Sequence, residues 1–226
     1  MRMMFIIPLL KLLSSFLRRF TSHSGTALPG LILEKYFSRT LQNLCANLDR
    51  VILVSGTNGK TTTTKMLDHL LKSQGISYIT NPSGSNMTRG IAATLLDYCD
   101  WKGDLKIKTA VFEVEEGTMP QLVKLVKPQI VIVTNIFRDQ LDAYGEVDKI
   151  LFYLRESIES SKPDLLILNA DDSRVSSLED AGAKNVIKVG FGPKYRDLFK
   201  WENRDNHQTK ADFLIDNVQI NSDLQP

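Results

Sequence analysis

The segment Gly56-Thr57-Asn58-Gly59-Lys60-Thr61-Thr62 gathers two glycines, a lysine and three hydroxyls in seven consecutive residues. It follows a short apolar run, Val51-Ile52-Leu53-Val54, and opens a helical stretch from Thr61 to Ser73. A strand, a glycine loop and a helix start in that order direct backbone N–H groups and the positive helix end at one spot, which favours a polyphosphate. Lys60 adds a point charge, and the Thr61 hydroxyl is the type of oxygen donor that Mg²⁺ takes beside phosphates. The plain alternative is a glycine turn with a threonine-rich helix cap. It leaves unexplained why strand, both glycines, lysine and hydroxyls all fall in register.

A second cluster, Phe112-Glu113-Val114-Glu115-Glu116, ends another apolar run with three carboxylates in four residues. Crowded anions at the edge of a core are costly unless a cation compensates them, and a magnesium-bound nucleotide supplies one. Solvated acidic residues in a turn are the alternative. Asn81-Pro82-Ser83-Gly84-Ser85-Asn86-Met87-Thr88-Arg89 and Asn135-Ile136-Phe137-Arg138-Asp139-Gln140 also follow apolar runs. Asparagine and serine at a strand's carboxyl end lie on the ligand-binding side of a parallel sheet, with a surface turn the alternative. Asn169-Ala170-Asp171-Asp172 reads equally as an Asx turn, a helix cap or a ligand contact.

The elements that must position these groups form a repeating beat. Apolar runs at 51–54, 76–79, 109–112, 130–133, 165–168 and 186–189 alternate with helical stretches. Six strands with intervening helices predict an α/β, doubly wound, mostly parallel sheet whose strand ends carry the loops above. Residues 1–48 read as an N-terminal helical segment, with a turn-rich connector over 21–30 and a helix onward to Leu48. Residues 49–190 form the central domain. Residues 191–226 form a partial extension in which Phe213-Leu214-Ile215 turns at Asp216-Asn217 into a hairpin. With 28 basic and 26 acidic residues the net charge is +2, which gives no electrostatic case for nucleic acid. Cys45 and Cys99, far apart and beside only three histidines, form no zinc spacing and read as buried reduced thiols.

The loop at Gly56–Thr61, with Val54 where the common phosphate loop has glycine, resembles that of Mur ligases and folylpolyglutamate synthetases. Thr134-Asn135-Ile136-Phe137-Arg138-Asp139-Gln140-Leu141-Asp142 with Gly145-Glu146 resembles the MurT branch of the family, the subunits of lipid II isoglutaminyl synthases. Many amino-acid-adding relatives carry a histidine where Gln140 stands and a modified lysine near Arg155. The similarity runs from about Gly25 to about Gly190. It implies a Mur ligase central domain that binds ATP through Gly56 to Thr62, with Lys60 and Glu113 as catalytic residues and Thr61 and Glu113 holding Mg²⁺. Asn86, Arg89, Asn135 and Arg138 are then weaker candidates for the acceptor side, with an internal ion pair the alternative for Arg138. It further implies amidation of the D-glutamate α-carboxylate of lipid II with ammonia from a GatD-type glutaminase partner, in the cytoplasm. The alternatives are an amino-acid-adding ligase and a nucleotide-binding fragment without turnover. MurT proteins carry a four-cysteine zinc ribbon after this region, and Gly192 to Lys210 contains no cysteine, so no zinc is expected. The family's adenine-contacting asparagine and closing C-terminal domain are expected beyond Pro226.

The first residues, Met1 to Arg19, begin like a signal peptide, but Lys11 interrupts the apolar run and no small-residue cleavage site follows. They read as an amphipathic helix packed on the domain. Because Phe5, Leu9, Leu12, Leu13, Phe16 and Leu17 share a face beside Lys11, Arg18 and Arg19, peripheral membrane contact is the alternative.

Overall fold

The computed structural model describes residues 3–20, 27–81, 84–137, 145–192 and 211–215. Three helices come first, α1 (Met3–Phe20), α2 (Leu28–Tyr36) and α3 (Ser38–Ala46). Then β1 (Arg50–Ser55), α4 (Lys60–Ser73), β2 (Ile79–Thr80), α5 (Thr88–Tyr98) and β3 (Thr109–Glu113) alternate. The short α6 (Met119–Leu122), β4 (Ile130–Val133), α7 (Gly145–Ser161), β5 (Leu165–Asn169), the four-residue α8 (Ser173–Ser176), β6 (Val186–Phe191) and β7 (Phe213–Ile215) complete the order. All pairings are parallel, in the order β2-β3-β1-β4-β5-β6-β7.

That order makes the sheet doubly wound. The chain leaves β1 toward one edge to form β2, whereas the steps from β2 to β3, β3 to β4 and β4 to β5 run the other way. Right-handed crossovers therefore place α4 on one face and α5, α6 and α7 on the other. The central strands are apolar because a parallel sheet is covered on both sides. On the face opposite α4, Phe112, Leu53, Val131 and Leu166 stand in register across four strands, each fully buried. They share one core with Leu33, Leu41 and Leu44 of the N-terminal helices and with Leu95 and Leu96 of α5.

Several expected boundaries move. The single helix expected up to Leu48 is two, broken at Phe37, whose φ of −131° and ψ of 42° lie outside the helical range. Pro29 and Gly30, expected in a connector, form the first turn of α2. A β-carbon at Gly30 would lie 1.9 Å from the Arg89 carbonyl oxygen and 2.7 Å from the Ala93 nitrogen, so α2 approaches α5 to a distance that glycine alone permits. The second strand begins at Ile79 rather than Ile76, and β6 runs on to Phe191. Phe213–Ile215 is a seventh strand, parallel to β6, and the turn and return arm of the expected hairpin lie outside the described residues. Helix α1 does pack on the domain, through Ile7, Leu10 and Ser14. Of the face named from the sequence, Leu9, Leu12 and Phe16 point outward, whereas Leu13 packs against the core.

Candidate nucleotide-phosphate site

β1 and β3 are neighbours whose following helices pass to opposite faces, so a crevice opens at their carboxyl ends, where ligands bind in such sheets. The phosphate loop follows β1 and Glu113 ends β3, so both meet there. β1 is anchored at its last residue, where the buried Ser55 hydroxyl donates to the Val114 carbonyl at 3.0 Å. Gly56 then takes φ +126°, and a β-carbon on it would sit 2.3 Å from Thr134 Oγ1 and 2.8 Å from the Asn135 carbonyl oxygen. Gly59, at φ +83°, starts α4 without a side chain to cap it. The first N–H groups of α4 have no acceptor within the helix, and with no cap they face a pocket of about 300 Å³ lined by Thr57 to Thr62 and Glu113. That volume suits phosphates rather than a whole nucleotide. A larger apolar hollow of about 810 Å³ lies at the opposite, amino end of the strands, lined by Ile52, Ile76, Ile130 and Leu165 among others. It lacks convergent phosphate donors, and the expected phosphate-binding residues line the smaller pocket instead.

Lys60 is buried inside the loop, its ammonium donating to the Gly56 carbonyl at 2.5 Å and the Thr57 carbonyl at 3.1 Å, with Glu116 3.7 Å away. Thr61 donates to Glu113 Oε2 at 2.9 Å, so the two expected magnesium donors stand side by side. Glu113 is buried, at 5% exposure. A buried carboxylate beside a hydroxyl at the edge of a phosphate loop fits Mg²⁺, which takes one or two protein oxygens and completes its shell with phosphates and water. Burial pushes the Glu115 carboxyl above its ordinary range, against the pull of Lys60, and Glu116 and Glu113 push in the same direction as burial.

The weaker candidates separate. Asn135 is buried, and its amide grips the loop: Oδ1 accepts from the Asn58 N–H at 2.8 Å and Nδ2 donates to the Asn58 carbonyl at 2.9 Å. Its own carbonyl accepts from the Thr57 N–H at 2.9 Å. It braces the phosphate loop. Asn86 donates to Glu115 Oε2 at 2.7 Å, and Arg89 is exposed at the start of α5. Arg138, with the run to Tyr144, lies outside the described residues.

Three further residues, none among the substrate candidates, shape the site. Asn81 accepts from the Glu113 N–H and donates to the Glu113 and Ser85 carbonyls, each at 2.9 Å, fixing the backbone that carries the carboxylate. Thr134 donates to the Asn58 carbonyl at 2.7 Å. Asp172 caps α8 through the N–H groups of Arg174 and Val175, and its second oxygen accepts from the Ile136 N–H at 2.8 Å. The available signal was position, since each lies at or just past the carboxyl end of a strand. Asn169 makes an Asx turn to the Asp171 N–H, which with the Asp172 cap resolves the open reading of that motif toward local structure. Arg155 ties α7 to the turn after α8 through Asp180 and the Ser177 carbonyl. Cys45 and Cys99 are free and buried, and burial pushes the Cys45 thiol up to about 12.

A phosphate loop at the switch point of a doubly wound parallel sheet, with a hydroxyl and a carboxylate paired beside it, defines a nucleotide-binding α/β protein. The sequence pattern of the Mur ligase middle domain matches residues 54–225, and the chain belongs to that family. It is 40% identical over 167 residues to the MurT subunit of the glutamine-hydrolysing lipid II isoglutaminyl synthase of Staphylococcus aureus (strain N315), covering 74% of this chain and 37% of that protein. With the corresponding subunit of Streptococcus pneumoniae (strain R6) the identity is 35%, over 65% of this chain and 32% of the relative. The chain thus spans about a third of the length of these curated relatives. The fold is that of the MurF ligase of Thermotoga maritima solved in complex with ADP, at a TM-score of 0.58 and 22% identity, covering 76% of this chain and 38% of that one.

Proposed function

We propose that the chain is the nucleotide-binding core of an ATP-dependent carbon–nitrogen ligase that amidates the D-glutamate α-carboxylate of lipid II in the cytoplasm, with ammonia from a GatD-type glutaminase subunit. The observation that carries the ligase part is the meeting of Lys60, the open N–H groups of α4 and the Thr61–Glu113 pair at one strand-end crevice. The choice of amidation is supported by the 40% identity to a subunit named for that reaction.

The reaction asks for positioning and charge neutralisation rather than a protein nucleophile. The γ-phosphoryl of ATP passes to the carboxylate oxygen, ammonia attacks the resulting acyl phosphate, and inorganic phosphate leaves with the carboxylate oxygen. The α4 N-terminus and Lys60 bind the phosphates and offset charge on the transferring group. Thr61 and Glu113 would hold Mg²⁺, which when bound would neutralise phosphate charge. Asn81 and Asn135 keep the carboxylate and the loop in place.

The test combines the chain with ATP, Mg²⁺, lipid II, glutamine and a GatD-type glutaminase. Product mass should show a carboxylate converted to an amide. Addition of a whole amino acid would instead assign the chain to the amino-acid-adding ligases, and ATP binding with no product would reduce its role to nucleotide binding.

A further inference from the structure

We infer that the outward face of α1 docks on the surface of an anionic lipid bilayer. The inward face is fully accounted for. Ile7 and Leu10 are buried in the core, and Lys11 donates to the Leu96 and Cys99 carbonyls at 2.6 Å each. Those carbonyls belong to the end of α5, where a cation satisfies orphan acceptors and complements the helix dipole. The helix is therefore clamped to the domain, and its orientation is fixed.

The opposite face is exposed. Leu9, Leu12 and Phe16 are 66%, 59% and 60% exposed, and their spacing aligns them on one stripe. With Leu13 they line a shallow hollow of about 500 Å³ whose rim includes Arg19. Apolar side chains scattered singly on a surface need no explanation, but a contiguous stripe on one helix marks an interaction surface.

Charge identifies what covers it. The eighteen residues of α1 include Lys11, Arg18 and Arg19 and no acidic residue, a formal +3. The whole chain carries +2, so everything outside the helix sums to −1. An apolar stripe on a uniformly basic helix is the pattern that lies in the plane of an anionic membrane surface. A second copy would bring basic helix to basic helix, which like-charge repulsion disfavours. Trp101, 57% exposed, stands beside the helix with its ring centroid 6.0 Å from the Lys11 ammonium. An indole of this kind, apolar with one polar edge, suits the headgroup level. Among the described residues no helix is long and apolar enough to cross a membrane, in keeping with a helix that lies on the surface.

The inference stands apart from the ligase reading, and its test keeps the two separable. The unsubstituted chain should co-sediment with vesicles of mixed phosphatidylglycerol and phosphatidylcholine, and far less with phosphatidylcholine alone. Leu12→Glu/Phe16→Glu should lower partitioning at least about tenfold, and Arg19→Gln about fivefold on the anionic vesicles. Both variants should keep the melting temperature and ATP affinity of the unsubstituted chain, because the altered side chains point away from core and site. Failure of the unsubstituted chain to bind anionic vesicles, or equal binding by the double variant, overturns the proposal. So does a dimer in light scattering that the double variant dissolves, which would make the stripe a contact between copies. Loss of ATP binding in every form would sink the ligase reading and leave the docking surface standing.

Discussion

Asn135 stands where two interpretations of the site part. As a strand-end asparagine it is a candidate for holding a substrate, yet its amide reaches the phosphate loop at both ends, to the Asn58 N–H at 2.8 Å and the Asn58 carbonyl at 2.9 Å. Asn135→Ala removes both hydrogen bonds. The Asn58 carbonyl keeps Thr134 Oγ1 at 2.7 Å, and Asn58 is exposed enough for water to reach its N–H. The loss is therefore closer to one neutral hydrogen bond with partial rescue than to two unsatisfied groups, about 1–2 kcal/mol. If the bonds hold the loop in its phosphate-binding shape, that energy appears as a roughly 5- to 30-fold weaker affinity for Mg-ATP, measurable by titration calorimetry. Asn135→Asp should be worse, because it keeps the acceptor and turns a carboxylate oxygen toward the Asn58 carbonyl and the phosphates. Unchanged ATP affinity in Asn135→Ala with weakened binding of lipid II would refute the brace and restore Asn135 to the acceptor side.

Lys60→Ala removes the loop's charge and leaves the buried Glu116 without its ion-pair partner, so ATP affinity should fall roughly 10- to 100-fold. Turnover with lipid II should vanish, and retained turnover would remove Lys60 from the chemistry. Gly30→Ala drives a β-carbon into the Arg89 carbonyl and should cost about 3 kcal/mol. In a chain of this size that lowers the melting temperature by roughly 6–12 °C, and an unshifted transition would mean that α2 and α5 do not meet at this position. Glu115 carries a raised carboxyl pKa from burial, above the ordinary 4.5. Just above that pH the folded protein keeps a proton that the unfolded chain has lost, so folding stability contributed by this group falls as pH rises through the folded value. Glu115→Gln keeps an acceptor for Asn86 and should flatten that slope in urea unfolding at stepped pH. An unchanged slope would move its origin to another group.

How far the sequence could be read depended on whether the reason for a residue was local. β1, β3, β4 and β5 stand out as continuous apolar runs because the sheet covers them on both sides, and the phosphate loop stands out because Gly56 and Gly59 are needed for their own backbone angles. The apolar run at 76–79 starts three residues ahead of β2, because Ile76 is 42% exposed and only Ile79 and Thr80 pair at this edge. Pro29-Gly30 has the composition of a turn, but the glycine answers to a helix distant in sequence, and no local pattern records that contact. The same holds for Phe213–Ile215. It pairs in parallel with a strand more than twenty residues earlier, and the turn expected at Asp216-Asn217 lies outside the described residues.

Strand-end amides and carboxylates show why type and position together still leave a role open. Asn81, Asn135, Asn169 and Asp172 stand at or just past the carboxyl ends of β2, β4 and β5, where a substrate contact and a loop brace call for the same donors and acceptors. A loop at a strand end turns its backbone groups away from the ladder, and each such group near the core needs a partner. Asn81 supplies that partner to Glu113, Asn135 to Asn58, Asn169 to Asp171 and Thr134, and Asp172 to Ile136. Lys60, Thr61 and Glu113 differ from these four. They bond to one another's loop or to each other, around open N–H groups of a helix start, and a phosphate with its metal can enter those contacts without unpairing the strand ends. The braces are thus built to stay while the three site residues exchange partners. On that division, nucleotide binding should protect the amides of the phosphate loop from hydrogen exchange and leave the Glu113 and Ile136 amides, held by Asn81 and Asp172, as protected as before. Equal new protection at all of them would show that the strand-end loops order only around the ligand, and that the braces are consequences of binding rather than its support.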